Sequence, residues 1–169
     1  LDTDWRGGPP PFAPPAAVGE RAAGDRKPVD LADPAARRRL RAYIWADQPE
    51  RLVRLDAAIG IALAQGTHVE AADAADWIAA RVRPAAGAAT VLFHSVFWTY
   101  LPKATAERIE ALAEEIGRTA TPEAPFAWLR MEPPPPGPTM DIRLTLWPGG
   151  EERLLAHAHP HAAWVEWLA

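Results

Sequence analysis

The residues best suited to chemistry are His94, Ser95, Trp98 and Tyr100, gathered in the short run HSVFWTY. An imidazole titrates near neutral pH, so His94 is a candidate general base, with Tyr100 as a second catalytic candidate. Trp98 can wall a pocket around a small molecule, and Ser95 can touch a polar substrate. Ser95 is a weaker candidate as a nucleophile, because no G-x-S-x-G elbow exposes its hydroxyl. Arg130 and Glu132 close the run FAWLRME and suit the binding of a polar substrate. His157, His159 and His161 alternate, which on a regular strand would turn three imidazoles to one side and suit zinc, nickel or copper. Pro160 interrupts that geometry, and no carboxylate stands near them before Glu166, so no metal site is expected there. Each set also has a plainer role. His94 can be a satisfied buried histidine, Arg130 and Glu132 can be an ion pair with each other or with neighbours, and the strand tryptophans can be core.

These positions depend on a strand that ends at His94. Ala89 to Phe93 is a continuous apolar run, as in a strand buried on both faces of a parallel sheet. Open α/β sheets bind ligands beyond the carboxyl ends of such strands. The clearest helix follows over Lys103 to Ile116. Ile109, Leu112, Ala113 and Ile116 form its apolar face opposite Glu107, Arg108, Glu110, Glu114 and Glu115, and Gly117 is its expected stop. Phe126 to Met131 is the next strand. Ile142, Leu144 and Leu146 alternate with Arg143, Thr145 and Trp147 as in a half-buried strand. Pro148-Gly149-Gly150 is a turn, and Arg153 to Ala158 and Ala162 to Leu168 complete an antiparallel hairpin or meander. Upstream, Val18 to Ala22 and the region of Val29 are strand candidates. Asp33-Pro34 starts a helix, and Asp47 to Glu50 starts another with Asp47 in the capping role. Gly66 ends that helix, His68 to Ala72 is a short strand, and Asp73 caps a helix that buries Trp77, Ile78 and Val82.

The 169 residues suffice for one domain with a core. Residues 1–16 read as a proline-rich arm or linker, and residues 17–169 as a single α/β domain. The net charge of −4 argues against a nucleic-acid binder built on a basic field. The absence of cysteine excludes disulfides and thiolate chemistry. No apolar run approaches a bilayer span, and a cytoplasmic location is the default. A first residue other than Met suggests a fragment or processed product.

The segments IWADQPERLVRLDAAI, DAADWIA, VLFHSVFWTYLP, FAWLRMEP and LTLWPGGEERLLA…HPHAAWVEWL together resemble a bacterial family known as domain of unknown function 2332. The resemblance spans nearly the whole chain. It implies a Rossmann-like sheet similar to class I, S-adenosylmethionine-dependent methyltransferases, flanked by helices and ending in an antiparallel hairpin. By the same resemblance Asp73 would accept from the adenine amine, the Ala74 N–H would read the ring, and Trp77 would pack its face. His94 and Tyr100 would be catalytic, and Ser95, Trp98, Arg130 and Glu132 would meet the substrate. Full-length relatives carry a glycine-rich turn after a first strand, and no closely spaced glycines follow a strand here. The chain is therefore expected to hold the donor poorly by itself. A missing central strand would leave a sheet edge to be re-paired or closed by a homodimer. The partner expected is a small molecule, not nucleic acid or membrane. The alternatives are a non-catalytic binding or scaffold domain and, more weakly, a metal-dependent enzyme using His157 to His161.

Overall fold

The computed structural model describes residues 3–8, 16–134, 137 and 139–169. Residues 9–15 of the expected proline-rich arm lie outside them. In chain order the elements are β1 (Asp4–Gly7), β2 (Gly24–Asp25), α1 (Pro34–Ala42), α2 (Pro49–Ala64), β3 (Glu70–Ala71), α3 (Ala74–Arg81), β4 (Thr90–Ser95), α4 (Lys103–Arg118), β5 (Phe126–Glu132), β6 (Met140–Trp147), β7 (Glu151–Ala158) and β8 (Trp164–Trp167). A 3-10 turn, Trp98–Tyr100, lies between β4 and α4. The expected domain over 17–169 is organised as two compact units, residues 20–74 and residues 1–19 with 75–169.

In the unit of residues 20–74, Asp33 caps α1 as its sequence demands. Its carboxylate accepts the N–H groups of Ala35 at 2.8 Å and Ala36 at 3.1 Å. The Ala35 bond is the main reason its carboxyl is held below the usual aspartate range. The Asp47 capping box does not form. Pro49 occupies the first helical position, which puts Gln48 at the cap, and the Gln48 side chain makes no cap bond. Gly66 ends α2 with a left-handed φ of 61°. The strand expected over Val18 to Ala22 is absent. Val18 is exposed and has no buried face to stabilise a strand; pairing occurs instead between β2 and β3, in parallel.

The other unit is built on a six-stranded sheet of order β1-β8-β7-β6-β5-β4. β4 and β5 are parallel and joined through α4, while β5, β6, β7 and β8 form an antiparallel meander. The chain is thus a mixed α/β protein whose carboxy-terminal strands run antiparallel, as the period-two pattern requires. β1 pairs in parallel with β8 at one edge. β4 is the other edge, with strand pairing on one side only.

One expectation about faces fails for a physical reason. β4 is not buried on both sides: Leu92 is buried, but Val91 is 53% and Phe93 57% exposed. On β6 both faces are covered in part: Met140, with Ile142 packed beside it, joins a buried cluster with Ala156, Ala158 and Val165, and the other face is the more deeply covered along the rest of the strand. Asp141, Thr145 and Trp147 are buried, whereas Ile142, Leu144 and Leu146 are half-buried. The reason is α4, which meets the sheet on the Trp147 face. There Gly117 lies in the last turn of α4, one residue before its end at Arg118, and a Cβ on it would lie 2.4 Å from the Trp147 indole. Helix and sheet approach this closely only because Gly117 has no side chain. Ile109, Ala113 and Ile116 complete the buried face of α4. Among the described residues no helix is long and apolar enough to cross a membrane.

Candidate functional site

Cross-strand register carries polar side chains onto the face that α4 covers. Residues paired directly across neighbouring strands point to the same face. Leu92, Trp128 and Thr145 form one such row, and His94, Arg130 and Arg143 the next. Glu132 and Asp141 follow, with His157 opposite Asp141 on β7. Alternation that looks solvent-facing in sequence therefore becomes a polar seam between helix and sheet.

His94 lies at the centre of the seam with its side chain 12% exposed. Trp128 Nε1–H donates to His94 Nε2 at 3.1 Å. An indole nitrogen can only donate, so Nε2 carries the lone pair and the proton sits on Nδ1. Nδ1–H then donates to Glu132 Oε1 at 2.7 Å. Trp98 stacks on the imidazole, with centroids 5.3 Å apart and planes 15° from parallel. Burial is the main cause that lowers the His94 pKa below its ordinary value of 6.5; the hydrogen bond and charge of Glu132 oppose it, and the Arg130 charge adds to it.

This has a consequence for stability. A neutral His94 stabilises the fold fully above pH 6.5, and that contribution is lost as pH falls below 6.5 toward the lowered folded value. Over that window the unfolded chain binds a proton that the folded site refuses, so stability rises with pH. Urea denaturation between about pH 7.5 and about pH 5 should show this slope in the parent and a shallower one in His94→Gln. Equal slopes would mean that His94 is not held neutral.

Glu132 organises the loop after β4. Its carboxylate accepts from the Phe97 N–H at 3.0 and 3.1 Å and from the Trp98 N–H at 3.2 Å, in addition to His94. Val96, just before, has a φ of 48°, which a β-branched residue rarely adopts. Left-handed backbone costs about 1–2 kcal/mol at such a residue. The converging N–H groups on Glu132 and the bond from Val96 N–H to the Met131 carbonyl at 3.0 Å offset it. The turn places Trp98 over His94.

Beyond Glu132 the seam continues as linked ion pairs. Arg130 lies over the Trp128 ring, 4.2 Å from its centroid, and its Nη2 donates to Thr145 Oγ1 at 2.8 Å and Glu152 Oε2 at 2.6 Å. Arg143 donates to Asp141 Oδ2 through Nε and Nη2 and to Glu152 Oε1 through Nη1. Desolvation works against the Glu152 charge, but the hydrogen bonds and charges of Arg130 and then Arg143 outweigh it, and its pKa falls below the usual glutamate value. His157 Nδ1 is 3.0 Å from Asp141 Oδ1.

A cleft of about 330 Å³ opens beside this seam, near the carboxyl ends of β4 and β5. Trp98, Arg130, Glu132, Asp141 and Arg143 line it from the sheet side, with Glu110 from α4 and Pro133 and Pro134 at its rim. The volume suits a small molecule, which typical ligand sites enclose in roughly 300–1,000 Å³.

The structure thus brings Trp98, Arg130 and Glu132 together at the cleft, with His94 directly behind them. Arg130 and Glu132 do not pair with each other; their partners are Glu152 and His94. Ser95 is exposed and alternates to the face opposite His94. Tyr100 is 78% exposed and does not line the cleft. Asp73 precedes α3 and Ala74 opens it. Trp77 is half-buried on α3, and its indole N–H has no hydrogen-bond partner. Asp76 pairs with Arg108 at 2.7 Å on the surface.

His157, His159 and His161 do not share one strand. His157 turns to Asp141, and His159 and His161 lie in the β7–β8 turn, where the His161 N–H donates to His159 Nδ1 at 3.1 Å. Among the described residues no three His, Cys, Asp or Glu side chains are grouped to hold a metal ion. Reasoning from sequence missed Asp141, Arg143, Thr145, Glu152 and Glu110 as parts of the site. The available signal was the recurrence of ionic residues at every second position of adjacent strands.

No curated protein and no solved structure matches the chain. The profile of one family, described as an uncharacterized protein conserved in bacteria (DUF2332), matches residues 1–167. With that match over nearly its whole length, the chain belongs to this uncharacterised bacterial family.

Proposed function

We propose that this family transfers methyl groups from S-adenosylmethionine to a small polar acceptor, and that the chain supplies the acceptor side. The observation that supports this reading is the cleft at the carboxyl ends of the two parallel strands, where open α/β sheets bind ligands. Methyl transfer asks a protein mainly to hold a nucleophile in line with the methyl group. Trp98 supplies a flat wall for that purpose, and Arg130 a cation fixed by Thr145 and Glu152. His94 has both ring nitrogens engaged, so it positions Trp98 and Glu132 and is not a free base in this arrangement. Tyr100 is left as the exposed hydroxyl near the rim of the turn.

The donor side fits only in part. Trp77 offers a buried indole N–H without a partner, beside Asp73 and Ala74 in sequence. The paired glycines at strand ends, Gly7-Gly8 and Gly149-Gly150, lead into a proline run and a hairpin turn, and neither forms a strand-to-helix turn that would let a backbone approach the donor. Calorimetric titration of S-adenosylmethionine should give no heat with this chain and clear binding with a family member that carries a glycine-rich turn after a strand. Silence from both would remove the methyltransferase reading. Micromolar binding by this chain would overturn the role given to the absent turn.

A second reading is a binding domain without chemistry. The locked His94 favours it, because the best acid–base candidate has no free nitrogen. Under that reading a full-length relative binds a ligand in the cleft and gives no heat with the methyl donor.

A further inference from the structure

Most of the charge around the cleft is already spent within the protein. Glu132 accepts from His94, Phe97 and Trp98. Asp141 accepts from Arg143 and His157, and Arg143 donates to Asp141 and Glu152. Three lining groups keep unused capacity: Arg130, Glu110 and Arg143, whose five N–H donors make three bonds. Arg130 spends Nη2 on Thr145 and Glu152; its Nε is buried out of a ligand's reach, and its Nη1, which makes no hydrogen bond to described residues, is the donor left for one. Glu110, on α4, makes no ion pair or hydrogen bond with described residues. A guanidinium with a free Nη1, its charge shared with Glu152, thus shares a cleft with an unpaired carboxylate on the helix, and Trp98 and Pro133 add apolar surface.

We propose that the cleft takes a small zwitterion of the amino-acid class, with its carboxylate on Arg130, its ammonium on Glu110 and its side chain against Trp98. The inference rests on the reading of the cleft as the acceptor side and names the class of acceptor. A simple anion would meet three carboxylates, Glu110, Glu132 and Asp141, and leave Glu110 without a cation. A simple cation would leave the Arg130 donors unpaired in a partly buried setting. A zwitterion answers both charges at once and adds no net charge to the cleft.

The test is calorimetric titration of this chain at neutral pH with L-phenylalanine, 2-phenylethylamine and 3-phenylpropionate. These share one ring and differ in which charge they carry. L-phenylalanine should bind roughly tenfold tighter than either analogue, the loss expected when one charge-assisted contact disappears. Glu110→Gln, at an exposed helix position, should weaken L-phenylalanine roughly tenfold and leave 3-phenylpropionate bound at least as tightly as before, because a repelling charge is removed. Equal affinities for the three probes, no binding of L-phenylalanine, or an indifferent Glu110→Gln would each overturn the assignment. The two proposals fail separately. Donor binding by a full-length relative without L-phenylalanine binding removes only the acceptor class. L-phenylalanine binding without donor binding removes only methyl transfer.

Discussion

Gly117→Ala should destabilise the protein by about 2 kcal/mol net, although it replaces the poorest non-proline helix former with the best. In a helix interior that exchange by itself stabilises by about 1 kcal/mol, and in the last turn, where Gly117 lies, by less. The new methyl would lie 2.4 Å from the Trp147 indole, far inside contact distance. Trp147 has nowhere to retreat. It is buried, stacked on the fully buried Phe126 at 5.3 Å, and approached on another side by Gly150, where a Cβ would lie 3.0 Å from its Nε1. Overpacking of this kind costs typically 1–3 kcal/mol and occasionally more, so the clash outweighs the propensity gain. Urea denaturation should show the loss, and the double variant Gly117→Ala with Trp147→Leu should destabilise less than the two single changes added together. An unchanged or more stable Gly117→Ala protein would show that α4 does not approach the sheet as described.

The larger effect belongs to Glu132. Glu132→Ala should cost about 3–5 kcal/mol, because it removes the acceptor of three donors at once. The His94 Nδ1–H and the Phe97 and Trp98 N–H groups would lose their partner in a region where Glu132 itself is only 16% exposed. A buried donor without an acceptor costs roughly 1–3 kcal/mol. The loop after the left-handed Val96 would lose its bonds to Glu132 and keep only backbone bonds such as that from Val96 N–H to the Met131 carbonyl, and Trp98 would lose its fixed place over His94. Glu132→Gln separates packing from charge. It fills the same space but keeps one acceptor oxygen, and it should lose about half as much stability. Equilibrium unfolding measures both, and near-UV circular dichroism reports the freed Trp98. A Glu132→Ala protein as stable as the parent would refute the proposed role of this carboxylate. Against a typical domain stability of about 5–15 kcal/mol, the change also threatens folding, so the glutamine variant is the safer one for ligand studies.

Much of this architecture was legible before any coordinates. The apolar spacing of Ile109, Ala113 and Ile116 marks α4, Asp33-Pro34 marks the start of α1, and the alternation after Met140 marks the closing strands. What sequence patterns misjudged was the depth of the two faces. Hydropathy assigns Ile142, Leu144 and Leu146 to the core because aliphatic residues are usually buried. The position of α4 covers the alternate set more deeply, where Asp141 and Thr145 are tolerated because Arg143, His157 and Arg130 satisfy them. Gly117 reads as a helix stop because glycine usually is one; its reason here is a neighbour thirty residues away, invisible to any local window.

The candidate site was legible in part for the same reason. His94, Trp98, Arg130 and Glu132 stand out by type and by position at strand ends. That His94 is locked between Trp128 and Glu132 depends on the parallel register of β4 with β5, which no spacing rule supplies. Glu110 looks like one more charge on a solvated helix face. Only the docking of α4 against the sheet brings it to the cleft with Arg130.

The central claim is that the functional ligand lies in the cleft under Trp98. Heteronuclear NMR of the labelled chain titrated with L-phenylalanine tests it most directly. The account predicts perturbations centred on the Trp98 indole and the amides around Arg130 and Glu110, and their loss in Glu132→Gln. Perturbations confined to other parts of the chain, such as α3 around Trp77, with the Trp98 resonances unmoved, would contradict it.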